Sequence, residues 1–239
     1  MKALIFAAGL GTRLKPLTDT MPKALVPVGG IPLLERVMKR LVAAGYDDIV
    51  INVHHFADMI RDFVAVHDGF GVKVSFSDET DLLRETGGGI RHAAPLLAGE
   101  EPFLVHNVDI LSNLDLAWFR AQHRPDDLAT ILVSDRPTAR YFLFDEAGLL
   151  VGWTNLSTGE VRSPWPGIDP DACTRLAFSG IHYLSPDILP LMRDWPEKFS
   201  IVDFYLAMCR THAIRAAVMP GLELHDVGKL SELDCIVPE

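Results

Sequence analysis

The chain has 239 residues, 32 of them acidic and 22 basic, for a formal net charge of −10; 49% are hydrophobic and 23% charged. That is a globular composition, long enough to bury a core without disulfide or metal staples. The acidic balance argues against a protein that tracks a nucleic-acid backbone, which needs clustered Lys and Arg, but leaves room for small anions, because nests of backbone N–H groups bind phosphate inside acidic proteins.

No apolar run approaches the roughly 18 residues that span a bilayer, so no membrane partner is expected. The N-terminal stretch MKALIFAAGLG has one Lys and too short an apolar segment for a signal peptide, and reads as a first strand over residues 2–7. Pro32 marks a helix start, with apolar residues at helical spacing over 33–42. A buried strand DIVINV follows over 48–53, then a helix over 57–66, a strand over 73–76, a helix over 88–97 after a glycine run, and a strand over 103–106. This alternation predicts an α/β fold: a Rossmann-like, mostly parallel sheet with helices on both faces, whose ligands bind at the carboxyl ends of the strands. Beyond it come a strand over 130–133, a hairpin around Phe142 and Val151, and a loop or lid over 159–174 carrying three prolines and two glycines. A strand over 177–183, helices over 186–192 and 201–210, and a late strand over 214–219 complete the pattern. No repeat or linker divides the chain, so one domain is expected, with residues 1–125 the nucleotide-binding part and 126–239 the sugar-binding part. Cys173, Cys209 and Cys235 are scattered, odd in number and without CxxC spacing, which suits a reducing, cytoplasmic location.

The segment AAGLGTRLKPLTDTMPKALVPV follows the first strand. A dinucleotide-binding loop would need Gly where Leu14 stands, and the Gly-Lys-Ser/Thr ending of a Walker loop is absent. Ala8, Gly9, Gly11 and Thr12 allow the backbone to approach a phosphate chain, Arg13 can fork onto phosphate oxygens, and Lys23 is a movable point charge. The same residues would also serve a tight turn with solvated cations. This GxGTR loop and the PKxLxPV element after it resemble the signature of the sugar-1-phosphate nucleotidyltransferases. The resemblance is especially to the small bacterial branch that includes N-acetylmuramate-1-phosphate uridylyltransferases and mannose- or heptose-1-phosphate guanylyltransferases. It implies a nucleotide-diphospho-sugar transferase fold and an enzyme that joins a nucleoside triphosphate to a sugar 1-phosphate. Arg13 and Lys23 would then stabilise the triphosphate, making Arg13, Lys23 and Asp109 the catalytic residues.

Asp109, in VHNVDIL, and Asp226, in LHDVGKL, each follow short apolar segments. Such aspartates are often caps or turn residues. Two carboxylates with phosphate oxygens also suit Mg²⁺. The resemblance implies the latter, matching Asp109 to an NGD-type and Asp226 to a DVGT-type metal motif, with Val108 and Lys229 departing from the usual residues. Val108 is expected to face away from the ligand and Lys229 to be solvated. SDETDLLRETGGGI resembles the family's nucleobase element; it places Glu79 at the base edge, Thr86, Gly87 and Gly88 against the nucleotide, and Glu85 where Gly is frequent. A carboxylate only accepts hydrogen bonds, so Glu79 would favour UTP, dTTP or GTP, whose bases carry ring N–H donors, over CTP.

On the sugar side, the resemblance points to Asn107, to Gly180 in AFSGIHYLSP and to Asp203 in FSIVDFYL. The family's Glu-Lys-Pro lysine has no counterpart in WTNLSTGEVRSP; Arg162 and Arg140 are candidate substitutes for it, and each is equally a surface arginine. His54 and His55 are adjacent after a strand, would point to opposite faces and chelate poorly, and Mg²⁺ disfavours the imidazoles of His106 and His225. The expected substrates are small molecules, UTP and N-acetylmuramate 1-phosphate foremost, and the expected assembly is a monomer or homodimer. Guanylyl transfer to mannose or heptose 1-phosphate is the alternative within the family, and a catalytically silent nucleotide-sugar sensor the alternative outside catalysis.

Overall fold

The computed structural model describes residues 1–228; Lys229 and Cys235 lie outside the described residues. Strand β1 (Lys2–Phe6) leads through the glycine loop and three short 3₁₀ turns to a small ribbon, β2 (Pro27–Val28) with β3 (Ile31–Pro32), and then to helix α1 (Leu33–Ala43). There follow β4 (Asp48–Val53), α2 (Ala57–Val66), β5 (Lys73–Asp78), α3 (Glu85–Leu97), β6 (Phe103–Asn107), β7 (Ile110–Ser112) and α4 (Leu116–Ala121). The second half contains β8 (Asp127–Ser134), β9 (Arg140–Phe144), β10 (Leu150–Asn155), β11 (Glu160–Arg162), β12 (Thr174–Leu184), α5 (Ile188–Leu191), α6 (Ile201–Met208), β13 (Ala213–Ala217) and β14 (Leu224–Asp226). No helix among the described residues is long and apolar enough to cross a membrane.

The sheet is mixed. Parallel pairing joins β6 to β1, β1 to β4 and β4 to β5, so the carboxyl ends of these strands share one edge. Strand β12 then runs antiparallel to β6, β8 and β9, and extends the sheet into the β9–β10–β11 meander. Side chains alternate across β1 and β4 as a doubly covered sheet requires. Ala3, Ile5, Ile49, Ile51 and Val53 pack with α1 and α2, while Leu4 and Val50 pack with α3 and α6.

Several expected boundaries shift. The loop over 159–174 contains β11, which pairs with β10. Pro32 caps α1 rather than opening its first turn. The late strand is Ala213–Ala217. The short strands β2, β3, β7 and β14 escaped the sequence reading; β7 and β14 pair antiparallel with Asp226 opposite Ile110.

Candidate active site

At the carboxyl edge of the parallel strands lies a cavity of about 260 Å³, bordered by Ala8, Gly9, Lys23, Glu79, Glu85, Thr86, Asn107 and Asp109, among others. The loop after β1 is held in a fixed shape. Gly11 adopts φ 63°, and an added Cβ there would lie 2.7 Å from Thr18 Cγ2. The buried Thr18 hydroxyl donates to the Gly11 carbonyl at 2.8 Å. Gly9 has open space where a Cβ would project, whereas Thr12 and Arg13 are exposed. Lys23, brought back by the 3₁₀ turn Lys23–Leu25, is buried and ion-pairs with Asp109.

Asp109 and Asp226 adjoin. The Val227 N–H donates to the Asp109 carbonyl at 2.8 Å, beside the β7–β14 pairing. A Cβ on Gly228 would lie 2.5 Å from Arg13 Nη2 and 2.7 Å from Asp226 Oδ1, so the guanidinium and the carboxylate crowd one point above that glycine. Two cations from the loop region after β1 and two carboxylates from distant segments thus converge. Among the described residues no set of three His, Cys, Asp or Glu side chains forms a metal site made by protein alone. Two hard carboxylates fit a cation that completes its shell with phosphate and water oxygens.

The far wall holds a buried network that the sequence reading did not anticipate. Asn52, at the end of β4, accepts from the N–H groups of Ala7 and Ala8 at 2.7 and 3.1 Å and donates to Glu79 Oε1 at 2.9 Å. Glu79 Oε2 accepts from the Arg84 N–H at 3.0 Å, and Glu79 is fully buried. Both of its oxygens therefore brace the chain, though it borders the cavity. A polar residue inside the apolar run DIVINV was the one available signal for Asn52. Val108 is buried in the core and also borders the cavity.

The first two glycines of α3 face the chain that precedes α6. A Cβ on Gly87 would lie 2.3 Å from the Phe199 ring, and one on Gly88 2.2 Å from the Glu197 carbonyl oxygen. The N–H groups of Gly87 and Gly88 both donate to the Phe199 carbonyl, at 2.9 and 3.1 Å. These glycines admit the chain before α6, and neither borders the cavity; Thr86 does, while its hydroxyl oxygen accepts from Ile201 N at 3.0 Å.

On the other flank, Gly180 (φ 73°) sits where β12 shifts register against β8, and a Cβ there would lie 2.6 Å from Asn107 Nδ2. Asn107 and Gly180 are thus in contact. Asp203, on the first turn of α6, accepts from Arg162 Nη2 at 2.5 Å, and the Arg162 guanidinium lies 5.6 Å from the centre of the Trp153 ring. This pair does not border the cavity, and Arg140 is exposed on β9. His54 Nδ1 is hydrogen-bonded to the Glu79 carbonyl, and His55 packs on Phe56. His106 is buried, and desolvation pushes its pKa down to about 4.

Residues 2–142 match the family model described as nucleotidyl transferase. The chain belongs to that family. It is 31% identical over 229 residues to N-acetylmuramate alpha-1-phosphate uridylyltransferase of Caulobacter vibrioides, an alignment covering 93% of this chain and 90% of the relative. The enzyme of the same name from Neisseria meningitidis is 42% identical over 134 residues, covering 55% of this chain and 58% of the relative. Among solved structures, HddC from Yersinia pseudotuberculosis complexed with GMP-PN superposes with a TM-score of 0.76 at 27% identity, covering 98% of this chain and 96% of that one.

Proposed function

We propose that the protein transfers a uridylyl group from UTP to a sugar 1-phosphate, with N-acetylmuramate 1-phosphate the favoured acceptor, giving a nucleotide-sugar and pyrophosphate. One observation carries the reading: Arg13 with Asp226 and Lys23 with Asp109 converge at the edge where β1 and β6 end. The choice of uridylyl transfer to an N-acetylmuramate acceptor rests on the two relatives that bear that name.

A phosphate oxygen of the sugar 1-phosphate attacks the α-phosphorus of the nucleotide, and pyrophosphate leaves with the electron pair of the broken P–O bond. The nucleophile is already anionic, so no general base is needed; the protein must align two mutually repelling anions and neutralise charge. Lys23 and Arg13 supply positive charge beside the loop of Gly9, Gly11 and Thr12, which leaves the open space over Gly9 for the triphosphate. Asp109 and Asp226 would hold Mg²⁺, which when bound supplies further charge neutralisation to the phosphate oxygens. Asn107 and Gly180 would face the sugar, and Asp203, steadied by Arg162, would stand at its outer side. Residues 1–125 would then form the nucleotide part and 126–239 the sugar part of one cytoplasmic enzyme.

Guanylyl transfer to mannose or heptose 1-phosphate is the second reading, favoured by the likeness to the GMP-PN complex over nearly the whole chain. The experiment is pyrophosphate release with Mg²⁺, crossing UTP, dTTP, GTP and CTP against N-acetylmuramate, N-acetylglucosamine, glucose, mannose and heptose 1-phosphates. Release with UTP and N-acetylmuramate 1-phosphate is the expected result. Turnover confined to GTP with mannose or heptose 1-phosphate would replace the first reading by the second. Silence across the panel, with a nucleotide-sugar bound tightly, would identify a sensor instead.

A further inference from the structure

Glu85 is a non-glycine residue at φ 62°, on the border of the cavity. An L-residue there works against its own Cβ, and such strain persists only where the surroundings over-determine it. They do so here. The Arg84 N–H is held by Glu79, the Arg84 carbonyl accepts from Phe199 N at 3.2 Å, the Thr86 hydroxyl is held by Ile201, and the Gly87 and Gly88 N–H groups are held by Phe199. Glycine would relieve the strain without disturbing any of these bonds. The side chain that stands there instead is about half exposed, and among the described residues its carboxylate meets only Lys198 Nζ, at 3.8 Å, too far for a hydrogen bond.

Two carboxylates therefore border the cavity, and they differ in what they have left to offer. Glu79 has both oxygens engaged by Asn52 and Arg84. Glu85 has its acceptor capacity open, with the half-buried Leu83 beside it as an apolar wall for a planar ring. We propose that Glu85, held in a left-handed conformation at the cavity rim, is the hydrogen-bond acceptor that reads the nucleobase, and that Glu79 is the brace that positions it. A carboxylate there takes a ring N–H, as uracil and guanine provide, and disfavours cytosine, whose ring carries no N–H and whose one donor is its amino group. The inference rests on the nucleotidyl-transfer reading above.

The test compares wild type with Glu85→Gly, Glu85→Gln and Lys198→Ala by calorimetric binding of UTP, GTP and CTP and by thermal melting. Glu85→Gly is expected to raise the melting temperature by roughly 2–4 °C through relief of strain. It should also weaken the preferred nucleotide about ten- to a hundredfold, with far less effect on CTP. Glu85→Gln, which keeps the shape but trades half of the acceptor for a donor, should narrow the preference over CTP, and Lys198→Ala should leave it intact. Unchanged affinity and selectivity in Glu85→Gly would overturn the assignment, as would Lys198→Ala reproducing its loss. A wild type that binds no nucleoside triphosphate at all would overturn the functional reading as well, and the two failures are told apart by the wild-type titration.

Discussion

At the scale of single residues, glycines that look alike in the sequence have opposite jobs. A Cβ on Gly9 would meet nothing within 4 Å, while one on Gly88 would run into a backbone carbonyl at 2.2 Å. Gly9→Ala should therefore leave folding stability within about 0.5 kcal/mol of wild type, yet lower kcat/KM because the methyl enters the space assigned to the triphosphate. Gly88→Ala should cost roughly 1–3 kcal/mol, as overpacking against a fixed backbone does. Urea denaturation together with steady-state kinetics separates the two; equal stability loss in both variants would contradict the distinction. The sequence could announce a glycine run at 87–89 but not what presses on Gly87 and Gly88, because the pressing chain is Glu197–Phe199, more than a hundred residues away. Gly9, Gly11 and Lys23 were legible as candidates because a cation-bearing glycine loop after a first strand has few other uses, and Asp109 only through its likeness to an NGD-type motif. Asn52 and Arg84 were not, since the bonds they make are visible only once β4 and β5 lie side by side.

At the scale of elements, long periodic segments were readable and short ones were not. The helix expected over 57–66 and the strand over 48–53 coincide with α2 and β4, each with enough residues to show its period. Strands β7 and β14 have three residues apiece and exist because they pair with each other, so no local pattern foretells them. They are also what sets Asp226 next to Asp109. The neighbouring strands β6 and β12 carry a second consequence. His106 and His182 are buried, with His182 Nδ1 hydrogen-bonded to the Tyr205 hydroxyl, and desolvation lowers their pKa values to about 4 and about 3. The unfolded chain holds these imidazoles near about 6.5, so the unfolded state binds protons that the folded state refuses. Their contribution is thus complete above about pH 6.5 and declines as pH falls toward the folded values, by roughly 1.4 kcal/mol per pH unit for each histidine. Denaturant midpoints at pH 7 and pH 5 should show that loss, and His182→Gln should make it shallower. A stability independent of pH over this interval would contradict the burial of neutral imidazoles.

At the scale of the whole molecule, the parallel half and the antiparallel half meet along one edge of the sheet. The parallel strands end on the glycine loop, Lys23, Glu79 and Asp109, and β12 bends at Gly180 to bring a second wall against Asn107. This layout keeps a small, strongly charged centre inside an acidic protein, with each cation set against a carboxylate until a phosphate chain competes for it. The central claim is that this centre transfers nucleotidyl groups, and the most direct measurement is pyrophosphate release by wild type, Asp109→Ala and Asp226→Ala across a Mg²⁺ titration, with melting temperatures taken alongside. Wild-type release should vanish with a chelator and return with added Mg²⁺, and each variant should melt as a folded protein yet lose about a thousandfold or more in turnover. Wild-type turnover retained in a folded Asp109→Ala, or release indifferent to the chelator, would contradict the account.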